Sequence, residues 1–386
     1  MTNPLTSAMA GRVARGELPG LVTLVARDDD VQAETIGDMT FDGKPMRRDT
    51  IFRVTSMTKP VLAAATMVLV EQGLLDLDEP VDRLLPELAD RRVLRRIDGP
   101  LDDTVPANRP ITTEDLLTFR MGHGIITEPA FNPPYPITTA ADELQLIMAQ
   151  PDPRTPHAPD EWIRRFGTLP LMGQPGTRWR YNTGSLVLGV LVARAAGSSL
   201  GDVLRELIFE PLGMRETGFW LPAEQAHRLP GYYVSDFQGG AVELQQSSQP
   251  EEWTRPPVFP SGAAGLLSTA DDYLAFAWML LHNGAHEGKQ LLSEESVSAM
   301  THNQLTPEQT ASAGMLLGGR GWGYGMAVTV TPDEASPVPG RYGWDGGYGT
   351  VWCTDPSRGV IAIALTQTSD FLFNGGAAEF TKLALS

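Results

Sequence analysis

The spacing of apolar residues changes along the chain. Leu21 to Arg27 and Val31 to Ile36 are β-rich runs separated by Asp28-Asp29-Asp30, a pattern that predicts a hairpin. The same signature returns near the other end in Gly323 to Val330, Gly349 to Thr354 and Val360 to Thr366, with a turn at 355–359 joining the last two. Between these groups the period is helical: Val61 to Gln72 before Gly73, Glu114 to Thr118, Ala141 to Met148, Leu186 to Ala196, and Ala270 to His282 before Gly284. A closing amphipathic helix is expected over Ala377 to Leu385. Strands at both ends with helices between them predict an α/β (α+β) fold. Segments 1–60 and 255–386 would form an antiparallel sheet lobe flanked by helices, 61–254 a mostly helical inserted lobe, and the junction a site.

Charge and composition remove several function classes. A formal charge of −17 with no concentrated basic face argues against nucleic acid as a partner. Cys353 is the single cysteine, so no internal disulfide can form, and its apolar neighbours Val351 and Trp352 suit a small buried side chain. The amino-terminal stretch has no apolar signal-peptide core, and the longest apolar run, Val61 to Val70, is too short to cross a bilayer. A cytoplasmic protein without a membrane partner is the expectation.

The candidate chemistry begins at Ser56-Met57-Thr58-Lys59-Pro60, which opens the apolar helix. Pro60 fits a first helical turn and so fixes the helix start close to Ser56, where unpaired N–H groups and the positive end of the helix dipole favour developing negative charge. Lys59 lies three residues on, on the same face, within reach of the serine hydroxyl. It can act as a base only if burial lowers its pKa from about 10.4. The chain has four lysines, and of these only Lys59 has a serine three residues earlier. Tyr181 follows the loop Gln174-Pro175-Gly176 and offers a phenol that can relay a proton. Gly343-Trp344-Asp345-Gly346-Gly347-Tyr348-Gly349 precedes an apolar strand, where glycines let a substrate approach the backbone and a free N–H can complete an oxyanion hole.

In this order the segments resemble the serine β-lactamase and penicillin-binding-protein superfamily, the S-x-x-K class, and within it class C β-lactamases and family VIII carboxylesterases. The resemblance also takes in Asp115-Leu116-Leu117-Thr118, Pro260-Ser261-Gly262 and Ser268-Thr269-Ala270-Asp271-Asp272-Tyr273. It implies acylation of Ser56, base and acid roles shared by Lys59 and Tyr181, and an oxyanion held by the N–H groups of Ser56 and Gly347. The chain departs from the family pattern at two places. Tyr-x-Asn reads Tyr181-Asn182-Thr183, so an amide contact falls to Asn182 or is replaced by Thr183, and Lys-Thr-Gly reads Trp344-Asp345-Gly346, which removes a carboxylate-binding cation.

These departures favour a small-molecule neutral ester as substrate, hence a carboxylesterase; cleavage of a β-lactam or amide, or acyl transfer to an alcohol, is the alternative on the same residues. A binding protein that has lost catalysis is the non-enzymatic alternative. Phe119, the Phe131-Asn132-Pro133-Pro134-Tyr135 segment, Trp344 and Tyr348 are candidates to line the acyl or alcohol pocket. The chemistry needs neither metal nor cofactor. Gly197-Ser198-Ser199-Leu200-Gly201 matches the nucleophile-elbow pattern, but helical character before Ser199 points to a helix boundary. His123, between Gly122 and Gly124, reads as a loop or pocket-lining histidine.

Overall fold

The computed structural model describes residues 3–28, 30–41, 43–126, 134–148, 155–234, 243–244 and 250–386. Its main elements in chain order are helix α1 (Pro4–Ala14), strands β1 (Gly20–Arg27) and β2 (Asp30–Gly37), and helices α2 (Thr58–Glu71), α3 (Thr183–Ala196) and α4 (Ala270–Leu281). Strands β3 (Gly321–Trp322), β4 (Ala327–Val328), β5 (Tyr342–Gly346), β6 (Thr350–Asp355) and β7 (Val360–Leu365) follow, and helix α5 (Gly376–Ala384) closes the chain. The strands form one seven-stranded antiparallel sheet in the order β3-β4-β5-β6-β7-β1-β2. Strands from the two ends of the chain meet in it where β1 pairs with β7, Val22 opposite Leu365.

Strand β7 is buried on both faces, which is why its sequence is a continuous apolar run. Val360, Ala362 and Ala364 face a cluster with Leu5 and Met9 of α1 and Phe380 of α5, while Ile361, Ile363 and Leu365 face the larger core that holds α2 and α4. Edge strand β2 has one side in water and alternates accordingly. Helix α2 is buried from Thr58 to Leu69 and runs through the centre of the molecule, so its apolar character extends all round.

Several predicted boundaries move. The predicted strand over Gly323 to Val330 is instead a tight turn, in which Gly323 N–H donates to Met326 O at 2.9 Å, followed by the short strand β4; its partner β3 lies just before the run. Gly325 has φ +78°, and a Cβ there would meet the Lys59 carbonyl at 2.7 Å, so the turn can press on α2 only with glycine. The helix predicted over 141–148 lies at Pro136–Glu143, started by Pro136, and Gln145 and Ile147 are at positive φ. Helix α1, with Asn3 accepting from Leu5 N–H, and helices Pro159–Phe166 and Glu294–Thr301 were not anticipated. Asp29, in the predicted first turn, lies outside the described residues.

Candidate active site

Ser56 sits in a 3-10 turn, Thr55–Met57, that runs directly into α2. Thr55 has φ +44°, a left-handed conformation uncommon for a β-branched residue and a mark of locally stored strain. Three contacts hold this turn. Tyr273 of α4 donates its hydroxyl to Met57 O at 2.9 Å, Leu266 N–H donates to Thr58 Oγ1 at 3.1 Å, and Val54 N–H donates to Leu266 O at 3.0 Å.

Lys59 is 1% exposed, with Nζ 3.0 Å from Ser56 Oγ. Its amine also donates to Ala263 O at 2.6 Å and lies 4.5 Å from the centre of the Tyr181 ring. Burial without a carboxylate partner holds its pKa well below the ordinary lysine value. A neutral amine has two hydrogens and one lone pair. The Ala263 carbonyl takes one hydrogen, which leaves the lone pair available to the serine hydroxyl. Gly262 allows this carbonyl its place, because a Cβ there would stand 2.6 Å from the Leu62 side chain and 2.7 Å from Ser185 O.

Tyr181 completes the group. Its hydroxyl hydrogen-bonds Ser56 and accepts from Trp344 Nε1 at 2.7 Å. Burial pushes its pKa up, so the phenol stays protonated at rest. The residue stands before a γ-turn in which Thr183 N–H donates to Tyr181 O at 3.2 Å with Asn182 at φ +84°, ψ −55°. Ile125 N–H donates to the same carbonyl at 2.9 Å, and Asn182 Nδ2 donates to Met148 O at 2.5 Å.

The β5–β6 turn brings Gly347 toward Ser56. A Cβ on Gly346 would meet Thr350 Oγ1 at 2.1 Å, Val54 O at 2.3 Å and Thr55 Oγ1 at 2.4 Å, so only glycine lets the turn lie against the serine-bearing segment. Gly347 itself is exposed, with nothing within 4 Å of where a Cβ would be. Thr350 Oγ1 ties the two segments by donating to Val54 O at 3.2 Å.

The pocket-lining expectations fare unevenly. Phe119 is fully buried behind Tyr181, with ring centres 5.5 Å apart, and supports the tyrosine from within the core without lining a pocket. Asp345 alternates with Trp344 along β5, so it shares the opposite sheet face with Val351 and Cys353 and points away from Tyr181. Asn182 is occupied by Met148 O, and Thr183 is buried against His123, with Nδ1 to Oγ1 3.4 Å, so neither offers a free side chain to a substrate. Trp344 is buried and engaged with the tyrosine. Tyr348 is half-buried next to Gly347 and stacks on Tyr232 at 3.7 Å between ring centres. Tyr135 is half-buried and packs on the main core, while Phe131, Asn132 and Pro133 lie outside the described residues.

The decoys resolve on geometry. Ser199 caps a helix, accepting from Asp202 N–H at 3.2 Å and donating to Asp202 Oδ2 at 2.6 Å, with helix α3 and not a strand before it. It borders a groove of about 1430 Å³ that also includes Arg194, Trp220 and Pro257 but none of Ser56, Lys59, Tyr181 or Trp344. His123 is buried, and burial together with Arg91 and Arg180 lowers its pKa to about 3. Among the described residues no three His, Cys, Asp or Glu side chains group as metal ligands. Sequence reasoning missed Ala263, whose contribution is a backbone carbonyl with no side-chain signal, and Arg320, whose guanidinium lies 5.2 Å from the centre of the Trp344 ring.

Comparison with known proteins places the chain. Protein Rv1367c of Mycobacterium tuberculosis is 40% identical over 364 residues, covering 91% of this chain and 86% of its own. Esterase EstB of Burkholderia gladioli is 31% identical over 373 residues with the same coverage. The solved structure of EstCE1, described as a hydrolase with promiscuous acyltransferase activity, superposes with a TM-score of 0.77 at 24% identity, over 99% of this chain and 96% of that one, a likeness of fold. Among the described residues no single helix is long and apolar enough to cross a membrane. With the family's sequence pattern matched from residue 5 to residue 385, the chain belongs to the Beta-lactamase family and is a serine hydrolase of that fold.

Proposed function

We propose that this protein is a carboxylesterase working at the junction of a sheet lobe (1–60 and 255–386) and a helical lobe (61–254), with Ser56 as nucleophile. The observation that carries the reading is the 1% exposed Lys59 amine 3.0 Å from the Ser56 hydroxyl, where burial holds its pKa well below the ordinary lysine value. Lys59 takes the serine proton as Oγ attacks the ester carbonyl. The carbonyl oxygen becomes an anion between the N–H groups of Ser56 and Gly347. As the C–O bond breaks, Tyr181 gives its proton to the departing alkoxide and recovers one from the Lys59 ammonium. Water then repeats the sequence on the acyl-enzyme: the amine takes a proton from the attacking water, Tyr181 gives its proton to Ser56 Oγ as the acyl C–O bond breaks, and the Lys59 ammonium restores the phenol.

Trp344 stands where the family motif has a lysine, so β5 offers no cation to a substrate carboxylate, and the indole with Tyr348 supports a neutral, partly apolar ester. That EstB is called an esterase agrees with this choice. The test compares turnover of p-nitrophenyl butyrate with that of nitrocefin, for wild type and Ser56→Ala. Ester turnover lost in the variant is expected; nitrocefin turnover without esterase activity would overturn the assignment.

A further inference from the structure

The indole at position 344 is contacted from two sides. Its Nε1–H donates to the Tyr181 hydroxyl at 2.7 Å, while the Arg320 guanidinium carbon lies over the ring, 5.2 Å from its centre. Arg320 comes just before β3, at the edge of the sheet, and its Nε donates to Leu317 O at 3.1 Å. Asp345 feels its charge from inside the sheet: burial raises the pKa of that carboxyl, and Arg320 acts to lower it. A single indole therefore separates this guanidinium, whose charge also acts on the buried Asp345, from the oxygen of the tyrosine.

We propose that Arg320 is a positioning residue for proton transfer by Tyr181, acting through Trp344. A cation on the face of an indole draws on its π electrons, and the ring N–H becomes a stronger donor. The phenol oxygen that accepts this N–H then bears negative charge more easily. That is what the reaction demands when Tyr181 releases its proton to the departing alkoxide, so this inference rests on the acid role proposed above. Burial opposes the release and Asp345 adds to the opposition, whereas Arg320 works against both. The positive charge that the family motif would place at position 344 is thus supplied from the residue before β3, two strands away in the sheet and one ring away from the tyrosine oxygen, where it does not meet the substrate.

A proton donor to the leaving group matters only when that group is a poor one. p-Nitrophenolate departs without a proton, and an ethyl alkoxide does not. Arg320→Met keeps the aliphatic contact with the indole and removes the charge. It is expected to lower kcat on ethyl butyrate about tenfold with KM unchanged, while p-nitrophenyl butyrate turnover falls less than about twofold. Arg320→Lys should restore most of the loss. In a Trp344→Phe background, where the relay is already cut, Arg320→Met should add nothing.

Equal losses on the two esters, or an unimpaired ethyl ester, overturn the proposal, since a merely structural arginine would affect both substrates alike. Trp344→Phe alone provides the second reading if Arg320→Met does not fold: it too must act selectively on the ethyl ester, and equal losses reject the relay. Tyr181→Phe separates the two levels of the argument. If it spares ethyl butyrate, the acid role of the tyrosine has failed and the Arg320 inference falls with it. If it is impaired while Arg320→Met is not, the Arg320 inference alone is overturned.

Discussion

The hydroxyl of Tyr273 donates to the carbonyl of Met57 at 2.9 Å, so helix α4 holds the turn that presents Ser56. Both residues are buried, and the bond links segments 216 positions apart. Tyr273→Phe removes the donor and little else. It should cost about 0.5–1.5 kcal/mol in urea unfolding and reduce kcat several-fold with KM nearly constant. Full activity with unchanged stability would show that the turn holds itself.

Lys59 makes a prediction whose sign comes from burial. Its folded pKa lies below the unfolded one, so between the two the unfolded chain binds more protons and folding is penalised. The penalty is complete below the folded pKa and vanishes as pH rises toward the unfolded value of about 10.4. The stability of wild type relative to Lys59→Met should therefore increase with pH across that window, measured by urea midpoints at pH 7 and above. Lys59→Arg keeps a cation that cannot serve as a base, and kcat should fall about 10²- to 10⁴-fold.

Gly346 and Gly347 are neighbours with opposite expectations. A Cβ at Gly346 would overlap Val54 O, Thr55 Oγ1 and Thr350 Oγ1, so Gly346→Ala must push the β5–β6 turn away from Ser56. A destabilisation of about 1–3 kcal/mol and a kcat loss of about 10²-fold or more are expected, by thermal melting and ester turnover. Gly347→Ala meets open space and keeps its N–H, so its melting temperature should match the wild type.

His123 is neutral when folded, because burial, Arg91 and Arg180 lower its pKa to about 3. The unfolded chain gains a proton on this histidine near pH 6.5 and the folded protein does not. Wild type should therefore lose about 1.4 kcal/mol per pH unit as pH falls from about 6.5 toward about 3. His123→Leu should flatten that slope in urea titrations at pH 6.5 and pH 4.5. An unaltered slope would mean that the imidazole can be protonated in place.

The nearness of Ser56 and Lys59 was legible because a three-residue spacing at a proline-marked helix start leaves little geometric choice. The sheet was legible because strands buried on both faces read as continuous apolar runs. The failures come from information that local pattern does not hold. Phe119 looks like a pocket aromatic until Trp179, Tyr181 and Trp322 enclose it. Asp345 neighbours Trp344 in sequence, yet the pleat sends it to the other face. The Ala263 carbonyl has no side-chain signature, and Arg320 reaches Trp344 through β3–β4–β5 adjacency, not sequence spacing. The turn at Gly323–Met326 escaped because a glycine-rich apolar stretch reads as strand whether or not it bends.

The pairing of β1 with β7 sets the order of events during synthesis. A growing chain holds the Ser56–Lys59 pair early, but the strand that carries Trp344 comes almost three hundred residues later, and the sheet can close only after β7 has left the ribosome. Until then β1 has no partner on the edge that β7 will take. Hydrolysis should therefore appear abruptly in a translation time course, once chains extend beyond β7, and chains stalled before it should be inert.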